Sequence, residues 1–411
     1  MGNTKLGSLG AEPELSEMMQ MFQSSVHKFA KDYLRPIGIK LDRMTPEQVI
    51  APDSPYWEVR SKFLELGVSL DALAELSPAE QAKMFCILYE ELGWGDAGLA
   101  ISFGAGILPA YLSMFFKNEY LRSIAPDDVI GCWAITEPDH GSDTLDPNRT
   151  MFHPEGQYGR PNCVATIKDD EVTLNGQKSS WVSNGTIAKV CILYCAADTG
   201  SGPDTKNGCA LIFPMDLNGI SRGKPLDKLG QRALNQGEMF FDNVKLSKKN
   251  ILAGPETYQD ALYAIHTLAN GLMGAIFTGV ARAAFEMALD YAHERKQGGV
   301  PIIRHQSVAQ RLFHMFRKTE AARALTHRVV HYNLSAPNLC LHAAMTSKVT
   351  ATQTSFEVAS DALQIFGGNG LTREYPIEKL LRDARASLIE DGCNEVLSIK
   401  GGFYLIDNDR L

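Results

Sequence analysis

The 411-residue chain contains no run of five or six like charges, and its 40 Lys plus Arg fall short of its 48 Asp plus Glu, for a formal net charge of -8. That balance excludes a surface built to track nucleic-acid phosphates, which needs clustered cations. The eight cysteines include no CxxC pair and no histidine at metal-ligand spacing. A zinc site and a disulfide framework are therefore disfavoured, and free thiols in a reducing compartment are expected. The opening residues, MGNTKLGSLGAEPELSEMM, lack the basic start and apolar stretch of an export signal, and Leu6 stands where a myristoylation signal wants Ser or Thr. A cytoplasmic location is the expectation. Charge is also missing from residues 97–116 and 262–281. Ser102, Pro109 and Ser113 interrupt the first stretch and His266, Thr267 and Asn270 the second, so both read as buried helices rather than membrane spans. The mean hydropathy of -0.14 agrees.

What is present describes a packed globular protein: 45% apolar and 21% charged residues, with length for about two or three domains. From about residue 13 to 126 the pattern is helical, as in QAKMFCILYEELGW, where Met84, Leu88 and Leu92 share one face. Residues 127–250 turn to short alternating runs. Val172 and Leu174 alternate with polar neighbours ahead of Asn175-Gly176, a dipeptide that predicts a tight hairpin turn. After Gly254-Pro255 the helical period returns to about residue 401: Phe285, Ala288, Leu289 and Ala292 form one stripe, and Val308, Leu312, Met315, Thr319 and Ala322 another. The fold class is α+β, with an N-terminal helical domain, a middle β-domain and a C-terminal helix bundle. Without strand-helix alternation a doubly wound sheet is disfavoured.

The residues that carry chemistry fall in a few segments. GCWAITEPDHGSDTL, residues 131–145, places a Gly-Ser turn after a strand, where backbone N–H groups and the Ser142 hydroxyl can approach an anion such as a pyrophosphate; Asp139, Gly141, Ser142 and Asp143 equally make an ordinary polar turn. In LNGQKSSWVSNG, residues 174–185, Trp181 beside Ser180 and Ser183 is either a core side chain or a platform for a flat heteroaromatic ring. FGGNG, residues 366–370, stops a helix. In RDARASLIEDGCNEV, residues 382–396, the pair Glu390-Asp391 precedes Gly392, and it either presents one carboxylate to a pocket or is a solvated helix end.

The order and spacing of TEPDHGSD, LNGQKSSWVSNG, DKLGQR, DNVKL, ERKQGG, QIFGGNG, EYP and RDARASLIEDGCNEV resemble the acyl-CoA dehydrogenase family over about residues 13–400. The resemblance implies an N-terminal helical domain, a middle β-barrel-like domain and a C-terminal four-helix bundle. It implies FAD bound between the last two, in a homotetramer (a dimer of dimers) whose neighbouring subunit completes the site. By motif position Trp133, Ile135, Thr136, Gly141 and Ser142 would line the flavin and its phosphates, and Trp181 with Ser183 would flank the isoalloxazine ring. Arg295, Gln297, Gln364 and Gly368 would hold the adenine and pyrophosphate end across the subunit interface, and Cys393 and Glu395 would stand beside the cofactor. The implied reaction is α,β-dehydrogenation of an acyl-CoA thioester to a 2-enoyl-CoA. A carboxylate takes the α-proton, the β-hydrogen leaves as hydride to the flavin, and electron-transfer flavoprotein accepts the electrons. No nucleic acid and no stable membrane insertion are expected.

The chain departs from the family at the base. The common ending EGTNEI reads DGCNEV at residues 391–396. Asp391 is the expected base and Glu390 its alternative. Aspartate is shorter by about 1.5 Å, and a displacement near 1 Å costs about a hundredfold in rate unless something compensates. A branched, cyclic or otherwise unusual acyl group would suit that reach. Aspartate here, with GGVPIIRHQ and HQSVAQRL, is also similar to the nitroalkane oxidase branch, whereas TEPDHGSD and FGGNGLTREYP lean to the dehydrogenases. A redox-silent binding protein on the same fold is the other alternative. Cys393 in place of threonine removes a hydroxyl expected to bond the flavin. The family's other base position falls near Ala269 and Asn270, which carry no carboxylate. Residues 146–163 are longer than the common pattern and read as a surface loop, a subunit contact or part of the CoA entry.

Overall fold

The computed structural model describes residues 15–146, 148–149, 151 and 159–406. Leu6, residues 13–14 and much of the 146–163 segment lie outside that range. Among the described residues eight α-helices come first: α1 (Glu17–Phe29), α2 (Arg35–Asp42), α3 (Pro46–Ile50), α4 (Pro55–Leu64), α5 (Leu70–Ala74), α6 (Pro78–Gly95), α7 (Ala97–Phe115) and α8 (Glu119–Ile124), with a π-helical segment, Ala30–Leu34, joining α1 to α2. Their ends are written locally. Ser77 and Glu80 close a capping box around Pro78 at the start of α6, and the Asp96 carboxylate accepts from the Leu99 N–H to begin α7 directly after α6 ends.

The middle domain is one mixed sheet of β1 (Gly131–Ala134), β2 (Cys163–Lys168), β3 (Glu171–Ser183), β4 (Val190–Asp198), β5 (Asp204–Pro214), β6 (Ile220–Arg222), β7 (Gln236–Ser247) and β8 (Ile251–Ala253). Its order is β6-β7-β3-β2-β4-β5-β8, with β1 parallel to β4. Asn175-Gly176 does not make the expected hairpin turn. The β2–β3 turn comes earlier, around Asp169 at φ 49°, and Gly176 lies inside β3 at a register shift opposite Cys163. The reason is steric: a Cβ on Gly176, at φ 119°, would lie 2.0 Å from the Asn162 carbonyl oxygen, so glycine serves a close strand approach.

The C-terminal part holds α9 (Tyr258–Glu294), a short hairpin of β9 (Lys296–Gln297) and β10 (Val300–Pro301), then α10 (Gln306–Ser335), α11 (Leu341–Phe366), α12 (Ile377–Ser387) and α13 (Asn394–Ile406). The apolar stretches that make up α7 and the middle of α9 are buried for most of their length. Helix α9 runs through the molecule and packs tightly on α6: a Cβ at Gly93 would lie 2.0 Å from the Ile276 oxygen, and one at Gly279 would lie 2.0 Å from the Glu90 oxygen. That closeness buries a charged cluster in which Arg282 and Arg323 bond Glu90 and Arg282 also bonds Glu91.

Candidate active site

The loop between α12 and α13 carries the acidic pair. It closes through the Asn394 N–H on the Leu388 oxygen (2.9 Å), and two successive residues, Asp391 (φ 54°) and Gly392 (φ 90°), adopt left-handed backbone. Aspartate tolerates that region better than most non-glycine residues. Three elements hold the turn. Asn270 of α9 donates its Nδ2 to the Asp391 carbonyl oxygen (3.3 Å); Lys348 of α11 donates its Nζ to the Gly392 oxygen and to Asn394 Oδ1, both at 2.8 Å; and the Cys393 N–H donates to Ser142 Oγ (3.1 Å). The Gly-Ser turn of the middle domain is thereby joined to the acidic loop across 251 residues of sequence.

The two carboxylates are placed differently. The Asp391 carboxylate is half-buried and makes no hydrogen bond among the described residues. Burial pushes its pKa up to about 6, with the Lys348 charge acting in the other direction. Glu390 is pushed up to about 7 by burial and by Asp391, and its Oε1 accepts from Gln231 Nε2. Gln231 stands at φ 50° in the DKLGQR segment, and its own N–H donates to the Asp383 carboxylate. From the same segment Lys228 Nζ donates to the Leu234 oxygen (2.8 Å) and Gln236 Oε1 (2.7 Å), and burial holds its pKa down at about 8. Glu390 is thus engaged by its neighbours and Asp391 is available.

The aromatic and hydroxyl residues expected around a flavin lie on β1, on the segment that follows it and on β3. Trp133 meets His266 edge-on, ring centroids 5.3 Å apart, and its indole Nε1 is buried without a hydrogen-bond partner. Thr136 accepts the Ser179 N–H at its carbonyl (2.9 Å), which ties the segment after β1 to β3. Between Lys178 and Val182, four steps along β3 face two along β7, so Trp181 is pushed out of the sheet and is 57% exposed. Ser183 Oγ accepts from Gln236 Nε2 (3.2 Å). An exposed indole face, an unpartnered buried N–H and the hydroxyls of Thr136, Ser142 and Ser183 form a donor set that fits a flat ring carrying polar edges and an anionic tail. Gly141 belongs to this turn, its N–H donating to Asp143 Oδ1 (2.5 Å), and the Ile135 oxygen accepts from Lys178 (2.9 Å).

Arg295, Gln297, Gln364 and Gly368 lie apart from this cluster. They are exposed at one end of the bundle, where Tyr291 stacks on Phe366 with centroids 4.1 Å apart and brings the ends of α9 and α11 together. Among the described residues no hydrogen bond joins them to the Asp391–Ser142 group. Cys393 is half-buried in the acidic loop, and Glu395 is exposed in the first turn of α13.

Several site residues escaped the sequence reading. Lys178 is fully buried and donates to the Ile135 oxygen, Glu137 Oε1 (2.6 Å) and the Tyr194 oxygen (2.7 Å), which pins the segment after β1. A trace of it was legible: Lys178 continues the inward alternation of Val172 and Leu174, a position where a lysine needs partners. Lys348 and Gln231 left no such trace.

An apolar cavity of about 380 Å³ lies between α4, α6, α7, α9 and α10, and Asp391, Ser142, Trp133 and Trp181 are not among the residues that line it. Its inner wall is formed by residues adjoining the functional ones. Thr267 and Gly271 flank Asn270, Ile130 leads into β1 and Trp133, and the Ser102 hydroxyl donates to Asn184, next to Ser183 (2.7 Å). Phe63, Phe103 and Tyr111 contribute aromatic walls.

Comparison with known proteins identifies the fold and the family. Residues 132–244 match the family model described as acyl-CoA dehydrogenase, middle domain, and residues 263–400 match acyl-CoA dehydrogenase, C-terminal domain. The chain is 30% identical to the probable acyl-CoA dehydrogenase YngJ of Bacillus subtilis, covering 93% of this chain and 96% of that protein. It is 29% identical to the mitochondrial short-chain specific acyl-CoA dehydrogenase of Rattus norvegicus, covering 97% and 92%. Butyryl-CoA dehydrogenase from Megasphaera elsdenii superposes with a TM-score of 0.82 at 25% identity, over 96% of this chain and all of that one.

Proposed function

The chain belongs to the acyl-CoA dehydrogenase family of oxidoreductases, and on that footing we propose that it removes an α-proton and a β-hydride from an acyl-CoA thioester, with Asp391 as base and FAD as cofactor. The observation that carries the reading is the Asp391 carboxylate, free of hydrogen bonds among the described residues in a turn held from three sides. Its backbone N–H also has no partner among the described residues. One residue therefore offers a proton acceptor and a donor, and an N–H directed at a thioester oxygen stabilises the charge that develops as the α-proton leaves. A carboxylate with a pKa of about 6 is mostly ionised at neutral pH yet more basic than an exposed aspartate, which suits a general base.

Bound FAD would supply the acceptor for the β-hydrogen. Trp181, Ser183, Thr136 and Ser142 would hold it, with Trp133 Nε1 as a further donor. Trp181→Ala is expected to lower the flavin content of the purified protein and weaken FAD rebinding by about 1 to 3 kcal/mol, the scale of one aromatic stacking contact; unchanged flavin affinity would remove Trp181 from the site. The exposed group of Arg295, Gln297, Gln364 and Gly368 is what a second subunit would need to complete the cofactor site, and it supports the homotetramer as part of this reading. Electron-transfer flavoprotein is the acceptor that the same reading assigns.

The cavity behind α9 is the place for the acyl tail. A four-carbon tail, at roughly 30 Å³ per heavy atom, would leave much of the cavity's volume of about 380 Å³ unfilled. That space suits a medium chain or a branched or cyclic group better than a butyryl tail. The test is anaerobic bleaching of the flavin by thioesters of graded length and branching. Bleaching fastest with the larger tails supports the assignment, and bleaching with short tails alone removes it. Reduction by a nitroalkane where no thioester works would place the chain with the nitroalkane oxidases, and a flavin that neither reduces would leave the redox-silent reading. A Cβ at Gly271 meets only Val330, at 3.6 Å. Gly271→Leu is therefore expected to fold and to cut activity on the largest tails by about tenfold or more while sparing the short ones.

A further inference from the structure

Lys348 is a wholly buried lysine that pairs with no carboxylate within ion-pair distance among the described residues. Its acceptors are the Gly392 carbonyl and the Asn394 side-chain amide, each at 2.8 Å, and among the described residues its third N–H has no acceptor. Thr352, one turn further along α11, accepts from Asn394 Nδ2 at 3.0 Å, so two residues of one helix face grip the end of the acidic loop. Burying an ammonium is costly, and the same loop is already held at Asp391 by a neutral donor, the Asn270 amide. The charge therefore has a use beyond tethering.

We propose that Lys348 is a positioning residue for Asp391, fixing the left-handed turn through Gly392 and Asn394 and setting the charge around the free carboxylate. The proposal rests on Asp391 being the base. The charged groups around that carboxylate are Glu390 on its own loop, Lys348 from α11 below it, Lys228 from the segment between β6 and β7 acting across Glu390, and Glu395 at the start of α13. Among the described residues, the hydrogen bond from α9 to the loop comes from the neutral Asn270 amide. Lys348 is the cation that acts directly on Asp391, and burial holds its own pKa down at about 8. Asp391 ionises at about 6 and Glu390 at about 7, so the loop gains a second anion before Lys348, at about 8, loses its charge.

The test is anaerobic flavin reduction by a competent thioester from pH 5 to 9 in the wild type, Lys348→Met, Lys348→Gln and Thr352→Val. Lys348→Met is expected to retain flavin, slow reduction by about ten- to a hundredfold and move the acid limb of the profile upward by at least half a pH unit. Lys348→Gln keeps a donor without the charge, so it should recover part of the rate while its acid limb stays raised. Thr352→Val removes the uncharged half of the grip and should slow reduction with the limb unmoved. A limb at the wild-type position in both lysine variants overturns the proposal, as does a limb that moves in Thr352→Val. Where neither lysine variant folds, Thr352→Val decides by the same criterion. Failure of the underlying reading looks different: Asp391→Asn would then be reduced at the wild-type rate.

Discussion

Asp391→Asn is expected to purify folded and yellow and to be reduced by thioester about 10²–10⁴-fold more slowly than the wild type, or not measurably, the range of a lost general base. The substitution is nearly isosteric, and the wild-type carboxylate makes no hydrogen bond among the described residues, so little packing changes. The turn is held through the carbonyls of Asp391 and Gly392 and the N–H of Cys393, all of which asparagine leaves in place. Glu390→Gln is the control. Glu390 is held by Gln231, and its variant should keep most of the reduction rate. If Glu390→Gln is dead and Asp391→Asn is active, the base has been assigned to the wrong carboxylate.

The pH dependence follows with a defined sign. The base works ionised, so kcat/KM in the wild type should fall as pH drops through about 6, rather than near the usual aspartate value, because burial has raised the group. Stability has the opposite trend at this residue. A carboxyl whose pKa is higher in the folded than in the unfolded state favours folding when protonated, and that contribution is lost as pH rises from the unfolded value to about 6. Asp391→Asn removes the titration, so above about pH 6 the variant should be at least as stable as the wild type. A drop in its denaturant midpoint at pH 8 would show that the charge stabilises the fold.

Lys379→Met is expected to produce the largest loss of stability, about 3–5 kcal/mol by chemical denaturation, the scale for breaking a buried ion pair from one side. Lys379 is buried and donates to Asp96 Oδ2 (2.6 Å) and Asp383 Oδ2 (2.5 Å), both carboxylates being almost fully buried. Asp96 also caps α7, and Asp383 receives the Gln231 N–H, so the lysine ties the N-terminal helices to α12 and the segment beside Glu390. Without it two carboxylates stand together in the interior, and they are tolerable there only when protonated. The deficit should therefore grow from pH 5 to pH 8. Adding Asp383→Asn to the variant should recover part of it, with a coupling of about 0.5–3 kcal/mol. A loss below about 1 kcal/mol that does not change with pH would mean that solvent reaches this group.

Periodicity alone was enough for the order of helices, strands and helices, because a repeat of 3.6 or 2 is a local property of the chain. It made Leu88, Leu312 and Met315 inward-facing residues, and they are buried. The Glu390-Asp391 pair was legible only as a carboxylate presented to a pocket or a solvated helix end, and the structure places it in the loop between α12 and α13. What periodicity could not do was tell two neighbouring carboxylates apart; in the structure Gln231, 159 residues away, engages Glu390 and leaves the Asp391 carboxylate without a hydrogen bond among the described residues. It also misplaced the turn at Asn175-Gly176, where an approach of the Asn162 carbonyl, rather than a hairpin, requires glycine.

The sequence by itself determined the layers and an adjacent acidic pair with aspartate where the family it resembles has glutamate. Only the tertiary structure decided which groups surround that residue: Lys348 reaches Asn394 across 46 residues, Ser142 meets Cys393 across 251, and Lys379 meets Asp96 across 283. The physical reason is that backbone propensity and side-chain period are properties of neighbours along the chain, whereas the cost of a buried charge is met by whichever groups packing brings beside it.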